Sequence, residues 1–423
     1  MNIVFVTQAL PYLPCRDGFR LYGANLLRRL ARRHQIHLIS FLQGGDCDHL
    51  AWAKEHCLTL TTLSSNGGKG LLTRINLFTT YALGKPLRHR KNISSALAAG
   101  WEPRDLHVLH VEGDYAGGLV PPELPIPRVL SLQNSRKVRC AQMANCSTSR
   151  RERLYYHVLN RVEPRYERLV YPRFDCCVVV ADKDARAIRA AAPESQLAVI
   201  PNGIDAEYYR PKSGTYRGPT LVFHGNLGYA PNVHAATEFA REIFPLIQRE
   251  SHHAEFHLVG AKPVKQIREL ASLPGIGLSA NLPDLRNALC SSRVYVCPVR
   301  HGAGFKNKLL EAMAMGLPII AYPEAVCGMN CTPGKHLLLA ENVQEFVRLA
   351  LELVNHPKRG EEIGRAARQH VVDNYSWDSR ADEFESLYRQ IIENRRERAG
   401  LSNPYPRPTP PARIGVPPVQ ALA

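Results

Sequence analysis

The feature that most constrains the fold of this 423-residue chain is an alternation of short apolar runs with helical patterns, which starts again in the second half. The first series of runs occupies residues 2–7, 36–41, 107–112, 128–133, 176–181 and 197–202. The second series occupies residues 220–225, 256–261, 276–281, 294–299 and 317–322. This rhythm is typical of βαβ units, which form a parallel sheet with helices on both faces. It predicts an α/β chain with two doubly wound halves.

The boundary between the halves is predicted where Gly and Pro cluster, at residues 203–218. A chain of this length also exceeds what one hydrophobic core usually supports. The clearest helix of the second half has apolar residues at positions 236, 239, 240, 243, 244 and 247. We therefore expect domains at 1–210 and 211–375. The Pro-rich tail, 396–423, is expected to be disordered.

The net charge of the chain limits the kinds of partner it is expected to bind. The formal net charge is +16 and the pI is about 9.5, so the surface attracts polyanions. No nucleic-acid recognition motif appears, and we expect no nucleic-acid partner. Residues 67–91 contain six Lys or Arg and no acid, which predicts either contact with an anionic membrane surface or an ordinary packed helix.

The expected location is cytoplasmic, with a peripheral position on the inner membrane face as a candidate. No run has the length and apolarity of a membrane span, and the amino terminus lacks signal-peptide features. The eleven cysteines show no CxxC pair and no zinc spacing. Cys327 and Cys331 form an isolated CxxxC. We expect buried thiols in a reducing compartment and no metal centre.

The main candidate site is "HGAGFKNKLLEAMAMGLPII", residues 301–320. Glycines before a helix expose backbone N–H groups, and Lys306 and Lys308 add positive charge, so the segment predicts an anion site that fits a diphosphate. Glu311 is expected in the first helical turn. A carboxylate there repels phosphate, so it is predicted to bind sugar hydroxyls. The alternative is that Glu311 only stabilises the helix dipole.

A second candidate is the strand–turn–helix "FHGNLGYAPN", residues 223–232. Gly225 and Gly228 would allow a ligand to approach the backbone closely. The alternative is a tight connection with no ligand.

The first half contributes two further candidates. In residues 11–27, Gly18 is expected to present backbone amides to an interdomain cleft, and Arg20 to meet a phosphate there. His110 and Glu112 end an apolar run, at the sheet edge where α/β proteins bind ligands. Glu112 is the better catalytic candidate, because a histidine at a strand end is more often structural.

These motifs support a resemblance. "GAGFKNKLLEAMAMGLPII", "VIPNGIDAEYY", "LVFHGNLGYAPNVHAATEFAREIFPLI" and "PYLPCRDGFRLYGANLLRRLARRHQIHLISF" resemble segments of the retaining GT-B glycosyltransferases of family 4. The variety they most resemble is the bacterial exopolysaccharide and exosortase-associated sugar transferases. The resemblance covers residues 2–392. It implies two Rossmann-like domains facing a central cleft, with acceptor bound at 1–210, donor at 211–375, and a crossover helix at 376–395 packing on the first domain.

The resemblance also implies roles for particular residues. Glu311 would take the ribose hydroxyls of a nucleotide-diphospho-sugar. Lys308, with Lys306 or Arg300, would neutralise the phosphates. The other implied positions are the loop Gly302, Ala303 and Gly304 facing the sugar and diphosphate, Leu282 at the base, Gly18 at the diphosphate, Gly225 and Asn226 in the donor turn, and Glu112 in the acceptor domain.

Two departures from the family pattern are visible. Ala303 stands where many members have an acid, and Asn226 and Pro231 stand where many have Arg and Lys. The chemistry implied needs no metal and no cofactor besides the co-substrate. Charge on the departing diphosphate would be stabilised by lysine, backbone amides and the helix dipole, during same-face attack assisted by that phosphate.

The implied activity is transfer of a hexosyl unit to a glycan or lipid-linked glycan in polysaccharide biosynthesis. Two alternatives stay open at this stage. One is a nucleotide-sugar epimerase of the same fold. The other is a degenerate, non-catalytic GT-B protein that binds glycan or nucleotide.

Overall fold

The computed structural model describes residues 1–15, 17–64, 79, 93, 95–97, 106–147, 149–211, 220–300, 305–398 and 400. Within these residues the chain forms two parallel sheets, one in each half, which confirms the predicted α/β fold. The sequence expectations for residues 67–91 (Thr79 apart) and for residues 401–423 lie outside the described part.

The first sheet has the strand order β3-β2-β1-β4-β5-β6-β7, and every neighbouring pair is parallel. Its strands are β1 Asn2–Thr7, β2 Gln35–Leu42, β3 Thr59–Ser64, β4 Val108–Glu112, β5 Arg128–Ser131, β6 Cys176–Val179 and β7 Leu197–Val199. The central strands are buried on both faces, which is why they appear in the sequence as continuous apolar runs.

Helices cover both faces of this sheet. They are α1 Gly18–Leu30, α2 Leu50–His56, α3 Asp114–Leu119, α4 Arg136–Cys146, α5 Arg150–Val170 and α6 Asp182–Ala191. Three of them begin at side-chain caps: the side chains of Asp17, Ser135 and Ser149 accept hydrogen bonds from backbone N–H groups at the starts of α1, α4 and α5.

The second sheet has the order β10-β9-β8-β11-β12-β13, again parallel. Its strands are β8 Thr220–Asn226, β9 Glu255–Ala261, β10 Ile276–Ala280, β11 Val294–Cys297, β12 Ile319–Ala321 and β13 Leu338–Leu339. The helices are α7 Ala230–Glu238, α8 Phe244–Glu250, α9 Lys265–Leu270, α10 Arg286–Cys290, α11 Asn307–Ala314, α12 Val343–Asn355 and α13 Pro357–Asn374. A π-helical turn, Phe239–Ile243, joins α7 to α8.

The last helix, α14 Trp377–Arg398, returns to the first domain and packs against α1. Ion pairs join the two helices, with Arg32 3.1 Å from Asp378 and Arg33 2.7 Å from Asp382. The expected crossover segment, 376–395, is therefore helical and ends three residues late. Residues 396–398, predicted as tail, belong to this helix.

The described helices include none that is both long enough and apolar enough to cross a lipid bilayer.

Candidate functional site

The residues of the main candidate site meet where β8 ends and α11 begins. His224, the fifth residue of β8, is buried, and its Nε2 lies 2.6 Å from Oε2 of Glu311 on α11. The negative charge of Glu311 also helps burial to raise the pKa of the neighbouring Tyr209. The parallel sheet thus brings a carboxylate and an imidazole, 87 residues apart in sequence, to the carboxyl edge of the strands.

The position of Glu311 corrects the prediction that it lies in the first turn of its helix. α11 begins at Asn307, so Glu311 is the fifth residue of the helix. The first turn of α11 contains no acidic residue. The helix-dipole effect falls off within the first turn, so it does not account for this carboxylate. Glu311 instead has a specific partner, His224.

Lys308 supplies a cation three residues before Glu311. Its ammonium donates a hydrogen bond to Oδ1 of Asn232 on α7 and lies 4.5 Å from the centre of the Phe223 ring. Burial lowers the pKa of Lys308 to about 8, and the charge of Lys306 acts in the same direction. Among the described residues no carboxylate forms an ion pair with Lys308, so its charge is available to an anionic ligand.

Gly225 makes the room for this ammonium. Its φ of +152° is one that residues with a side chain rarely adopt. A Cβ added there would lie 3.0 Å from Nδ2 of Asn232 and 3.1 Å from Nζ of Lys308. The glycine is therefore required by close packing at the predicted anion site.

Asn226 is the last residue of β8, at the start of the glycine turn, and its expected contact with the donor stays a prediction. Its side-chain oxygen accepts a hydrogen bond from the N–H of Gly228 at 3.0 Å, and its backbone carbonyl accepts one from Nδ2 of Asn232. These bonds shape the turn between β8 and α7. Asn226 therefore supports the backbone of the site and positions Asn232 for Lys308.

The other two cations predicted for the phosphates differ from each other. Lys306 is the residue that precedes α11, burial lowers its pKa, and the charge of Asp184 in the first domain opposes that shift. Arg300 stacks 3.5 Å from the centre of the Tyr322 ring, and its Nε lies 3.3 Å from Glu238. In this conformation the charge of Arg300 is paired with that of Glu238, so its role in phosphate neutralisation stays a prediction.

Leu282 lies in the turn after β10, at the same edge of the sheet. The preceding residue, Asn281, has a left-handed backbone with φ of 56°, and its side chain accepts a hydrogen bond from the N–H of Lys262. Leu282 itself is half-buried and packs on the core of the second domain. Its expected contact with a base stays a prediction.

Gly302, Ala303 and Gly304 lie outside the described residues. The first described residue after them is Phe305, whose ring lies 5.9 Å from that of Tyr375, between their centres.

The first-domain candidates are less accessible. The Glu112 side chain is fully buried, with Oε2 3.2 Å from Nε2 of His110, and burial raises its pKa. Nδ1 of His110 is in turn 2.6 Å from the hydroxyl of Tyr388 on α14. In this conformation Glu112 cannot contact an acceptor directly, so any catalytic role stays a prediction.

Gly18 and Arg20, which were expected at the same site, differ in exposure. Gly18 is the exposed first residue of α1, and no atom lies within 4 Å of a Cβ built on it. Arg20 is buried, with NH1 2.6 Å from Asp46 and 2.9 Å from the carbonyl of Leu10. The prediction that Arg20 meets a phosphate is wrong for this conformation, because its guanidinium is buried and bonded to Asp46 and Leu10.

Three partners in the site were not assigned roles from the sequence: His224, Asn232 and Tyr209. His224 carried a usable signal, since it stands just before the glycine turn at a strand end. Tyr209 carried none, because its relation to Glu311 depends on how the interdomain segment packs. A possible metal-ligand group lies elsewhere: Cys331, His336 and His370 come together within the described part of the chain.

Together these residues present one cation and one carboxylate on neighbouring positions of the same helix face. A lysine near backbone amides can stabilise negative charge that develops on a departing phosphate group. A carboxylate held by an imidazole can accept hydrogen bonds from vicinal hydroxyls. The geometry fits a ligand that carries an anionic group beside a sugar ring.

Two family profiles match the chain, one in each half. A profile described as "Glycosyltransferase Family 4" matches residues 17–208, and one described as "Glycosyl transferases group 1" matches residues 218–356. The second match contains β8, the glycine turn and α11, and therefore His224, Lys308 and Glu311.

Curated relatives match over part of their length. The chain is 26% identical to the MMP alpha-(1->4)-mannosyltransferase of Mycolicibacterium hassiacum, over 48% of this chain and 50% of that protein. It is 23% identical to the GDP-mannose:cellobiosyl-diphosphopolyprenol alpha-mannosyltransferase of Xanthomonas oryzae, over 53% of this chain and 59% of that protein. The chain thus spans about half the length of the curated relatives it matches.

Solved structures match over nearly the whole chain. Sucrose-phosphate synthase from Thermosynechococcus elongatus superposes with a TM-score of 0.71 at 15% identity, covering 93% of this chain and 100% of that one. Anabaena HepE in complex with UDP and glucose superposes with a TM-score of 0.62 at 12% identity, covering 91% and 98%. At these identities the likeness concerns the fold. With one family profile on each α/β domain and the fold shared throughout, the chain belongs to the family 4 glycosyltransferases, which have the GT-B fold.

Proposed function

We propose that this protein is a retaining glycosyltransferase that moves a hexosyl unit from a nucleotide-diphospho-sugar to a glycan or lipid-linked glycan acceptor in polysaccharide biosynthesis. The observation that carries the proposal is that Lys308 and Glu311 lie side by side on one face of α11. The cation sits against Gly225, and the carboxylate is held by His224.

The two side chains match two parts of such a donor. Residues three apart on a helix are neighbours, with Cβ atoms about 5–6 Å apart. Lys308 would contact the diphosphate, and Glu311 would accept hydrogen bonds from the ribose hydroxyls. His224 holds Oε2 of Glu311, and Tyr209 also hydrogen-bonds this carboxylate, so the group is fixed in position to accept hydrogen bonds from the ribose. The backbone of Gly225 would lie beside the phosphates, since glycine has no side chain of its own to keep them away.

The reaction proposed for this site uses the chain's own charges. As the bond from the sugar to the diphosphate breaks, negative charge grows on the leaving oxygen, and the Lys308 ammonium stabilises it. Lys306 adds a second positive charge at the start of α11. We expect transfer without a metal ion, and with retention through attack from the face that the phosphate leaves.

The donor is proposed only by chemical class. One relative's name specifies GDP-mannose, and the HepE structure contains UDP and glucose. The test therefore has to include both bases.

The acceptor is proposed to be lipid-linked and reached at the inner membrane face. On α5 the exposed side is both apolar and basic: Leu154 is 66% exposed and Val158 38% exposed. The exposed arginines of the same helix are Arg150, Arg151, Arg153, Arg161, Arg165 and Arg168. Such a face suits an anionic bilayer surface. The name of the Xanthomonas relative specifies a diphosphopolyprenol acceptor.

A thermal-shift screen over UDP-, GDP- and dTDP-sugars tests the donor site. We expect at least one donor to raise the Tm of the wild type and of Glu362→Ala, an exposed residue on α13. The same donor should leave the Tm of Glu311→Ala unchanged. If no donor stabilises the wild type, or if Glu311→Ala responds equally, the site assignment is wrong.

A transfer assay with the stabilising donor then tests the reaction. We expect sugar on a polyprenyl-diphosphate-linked glycan, and NMR of the product should show the anomeric configuration of the donor. Acceptor-independent conversion of the donor to its epimer would instead support the epimerase. Binding without turnover would support the non-catalytic alternative.

A further inference from the structure

We propose that Cys331, His336 and His370 form a binding site for a zinc ion. The site lies near the connection between α13 and α14. The site is separate from the proposed donor site and does not depend on it. His370 lies in the last turns of α13, and the other two residues lie in the loop between β12 and β13.

The three side chains already converge. One candidate ligand atom from each lies within 4.8 Å of the other two. Zinc bonds of about 2.3 Å to sulfur and about 2.0 Å to nitrogen place tetrahedral ligand atoms roughly 3.3–3.6 Å apart. The loop would therefore close on α13 by about 1 Å when the ion binds. The two imidazole rings are stacked, with centres 4.2 Å apart, so rotation about their side-chain torsions would also be needed to direct both nitrogens at the ion.

The two histidines are buried or half-buried, and within the described part of the chain one ring nitrogen has no hydrogen bond of good geometry. Nε2 of His370 is buried and has no hydrogen-bond partner among the described residues. His336 is only 8% exposed. Three protein ligands of this kind leave the fourth tetrahedral position for a water molecule.

Zinc binding at this cluster exchanges one bond for another at the thiol. The S–H bond of Cys331 breaks, the sulfur–zinc bond forms, and the proton leaves to solvent, while each histidine supplies the lone pair of a neutral imidazole.

Existing hydrogen bonds at both histidines compete with the ion. At His370, Nδ2 of Asn374 lies 3.4 Å from Nδ1. The N–H of Thr332 donates to Nδ1 of His336 at 3.1 Å. If zinc takes Nδ1, this bond is replaced. If zinc takes Nε2, the ring proton must move to Nδ1, which then cannot accept. Either way the Thr332 amide loses its partner, and its NMR resonance should shift when zinc binds.

The location suggests what the ion would stabilise. In the same loop the N–H of Asn330 donates to the hydroxyl of Tyr375, which packs beside Phe305. A Cβ on Gly328 would lie 2.7 Å from that of Ala181, in the first domain. A zinc ion would thus fasten to α13 a loop that touches both domains.

The experiment uses the full chain without a histidine tag, stripped with EDTA and dialysed against Zn²⁺. We expect one zinc ion per chain by mass spectrometry of the metal in the wild type and in Cys327→Ser, which removes the neighbouring cysteine of the same loop. Cys331→Ser and His370→Gln should each lose it. With Co²⁺ in place of zinc, the wild type should show thiolate-to-cobalt charge transfer and the spectrum of a tetrahedral ion, and Cys331→Ser should lose the charge transfer.

Folding is checked by circular dichroism of every variant without metal. Zinc at about 100-fold above its Kd should raise the Tm of the wild type by a few degrees and leave that of Cys331→Ser unchanged. If Cys331→Ser does not fold, His370→Gln carries the comparison. The proposal is overturned if the folded wild type retains no zinc after dialysis, or if folded Cys331→Ser or folded His370→Gln retains as much as the wild type.

Discussion

At the scale of single residues, the site depends on a glycine that leaves space for a charge. Gly225 stands where any Cβ would approach both Asn232 and Lys308, and its backbone has a φ that other residues rarely adopt. An added methyl group would displace the ammonium and strain the turn at once.

We therefore expect Gly225→Ala to abolish the thermal response to the donor and to lower the free energy of unfolding by about 1–3 kcal/mol. Gly18→Ala is the matched control for stability, because no atom lies within 4 Å of its Cβ position. It should be neutral or stabilise by up to about 1 kcal/mol, measured by urea unfolding. Equal effects of the two substitutions would contradict the packing argument.

Lys308 predicts a pH dependence of donor binding. Its folded pKa is about 8, below the ordinary 10.5, so the free protein loses this positive charge as pH rises above 8. Donor affinity should then fall by up to about tenfold per pH unit. In Lys308→Arg the affinity should stay level over the same range, because a guanidinium keeps its charge. The Kd from calorimetry at several pH values measures both.

The stability of the ligand-free protein should change with pH in the opposite direction. Between pH 8 and 10.5 the unfolded chain still holds the Lys308 proton that the folded protein has released. This residue's contribution to the free energy of unfolding therefore rises with pH across that window.

For donor binding, a wild-type Kd that does not change with pH would show that Lys308 does not contact the phosphates.

The same scale shows pairings that prediction from the sequence could not find. Arg20 and Arg300 each looked available for a phosphate, but their partners Asp46 and Glu238 lie 26 and 62 residues away. No local pattern marks such pairs. Glu311 was recognised, yet its partner His224 is 87 residues distant.

At the scale of elements, α5 contains an unusual pair of buried acids. Burial raises the pKa of Glu163 to about 7 and that of Glu167 to about 8. Arg136 donates to Glu163, and Ser135 donates to Glu167, while one oxygen of each carboxyl has no hydrogen-bond partner among the described residues. Folding therefore favours the protonated form of Glu167.

Because the folded pKa of Glu167 is raised, stability is lost as pH rises from 4.5 through 8, where only the unfolded chain can release the proton freely. Glu167→Gln should raise the free energy of unfolding by roughly 1–3 kcal/mol above pH 8 and change it little near pH 4.5. Thermal melts at the two pH values measure the difference. Glu250→Gln, at the exposed end of α8, should show no such dependence; an equal dependence there would argue against burial as the cause.

Most elements could be predicted because buried parallel strands and amphipathic helices have local signatures. The missed strands, β3 and β13, are edge strands, one rich in Thr and the other two residues long. α11 begins earlier than the sequence predicts, because no side chain caps it and no local signal marks Asn307.

At the scale of the whole molecule, α14 joins the two halves. Its Tyr388 is fully buried, and the hydroxyl is hydrogen-bonded to His110 in β4, the central strand of the first sheet. Asp378, by contrast, forms an exposed ion pair with Arg32. Water can hydrogen-bond the exposed groups when their ion pair is lost, but it cannot reach the buried ones.

Tyr388→Phe should lower the free energy of unfolding by about 1–3 kcal/mol, because Nδ1 of His110 is left buried without its partner. Asp378→Asn should cost about 1 kcal/mol or less, since Asp378 and Arg32 are about 60% exposed and the second partner, the buried Arg29, lies farther away at 3.7 Å. Denaturant unfolding compares them. Neither should change the thermal shift caused by the donor, which is proposed to bind the second domain; a lost response in Tyr388→Phe would place the first domain in donor binding.

The sequence by itself determined that this chain forms two parallel-sheet domains with a glycine-led helix in the second, because burying a periodic apolar face is a property of each segment. The tertiary structure decided which charges remain available. Arg20 and Arg300 are neutralised, Lys308 is not, and Glu112 is sealed in the core. Pairing and burial depend on contacts between distant segments, and only the folded chain brings those segments together.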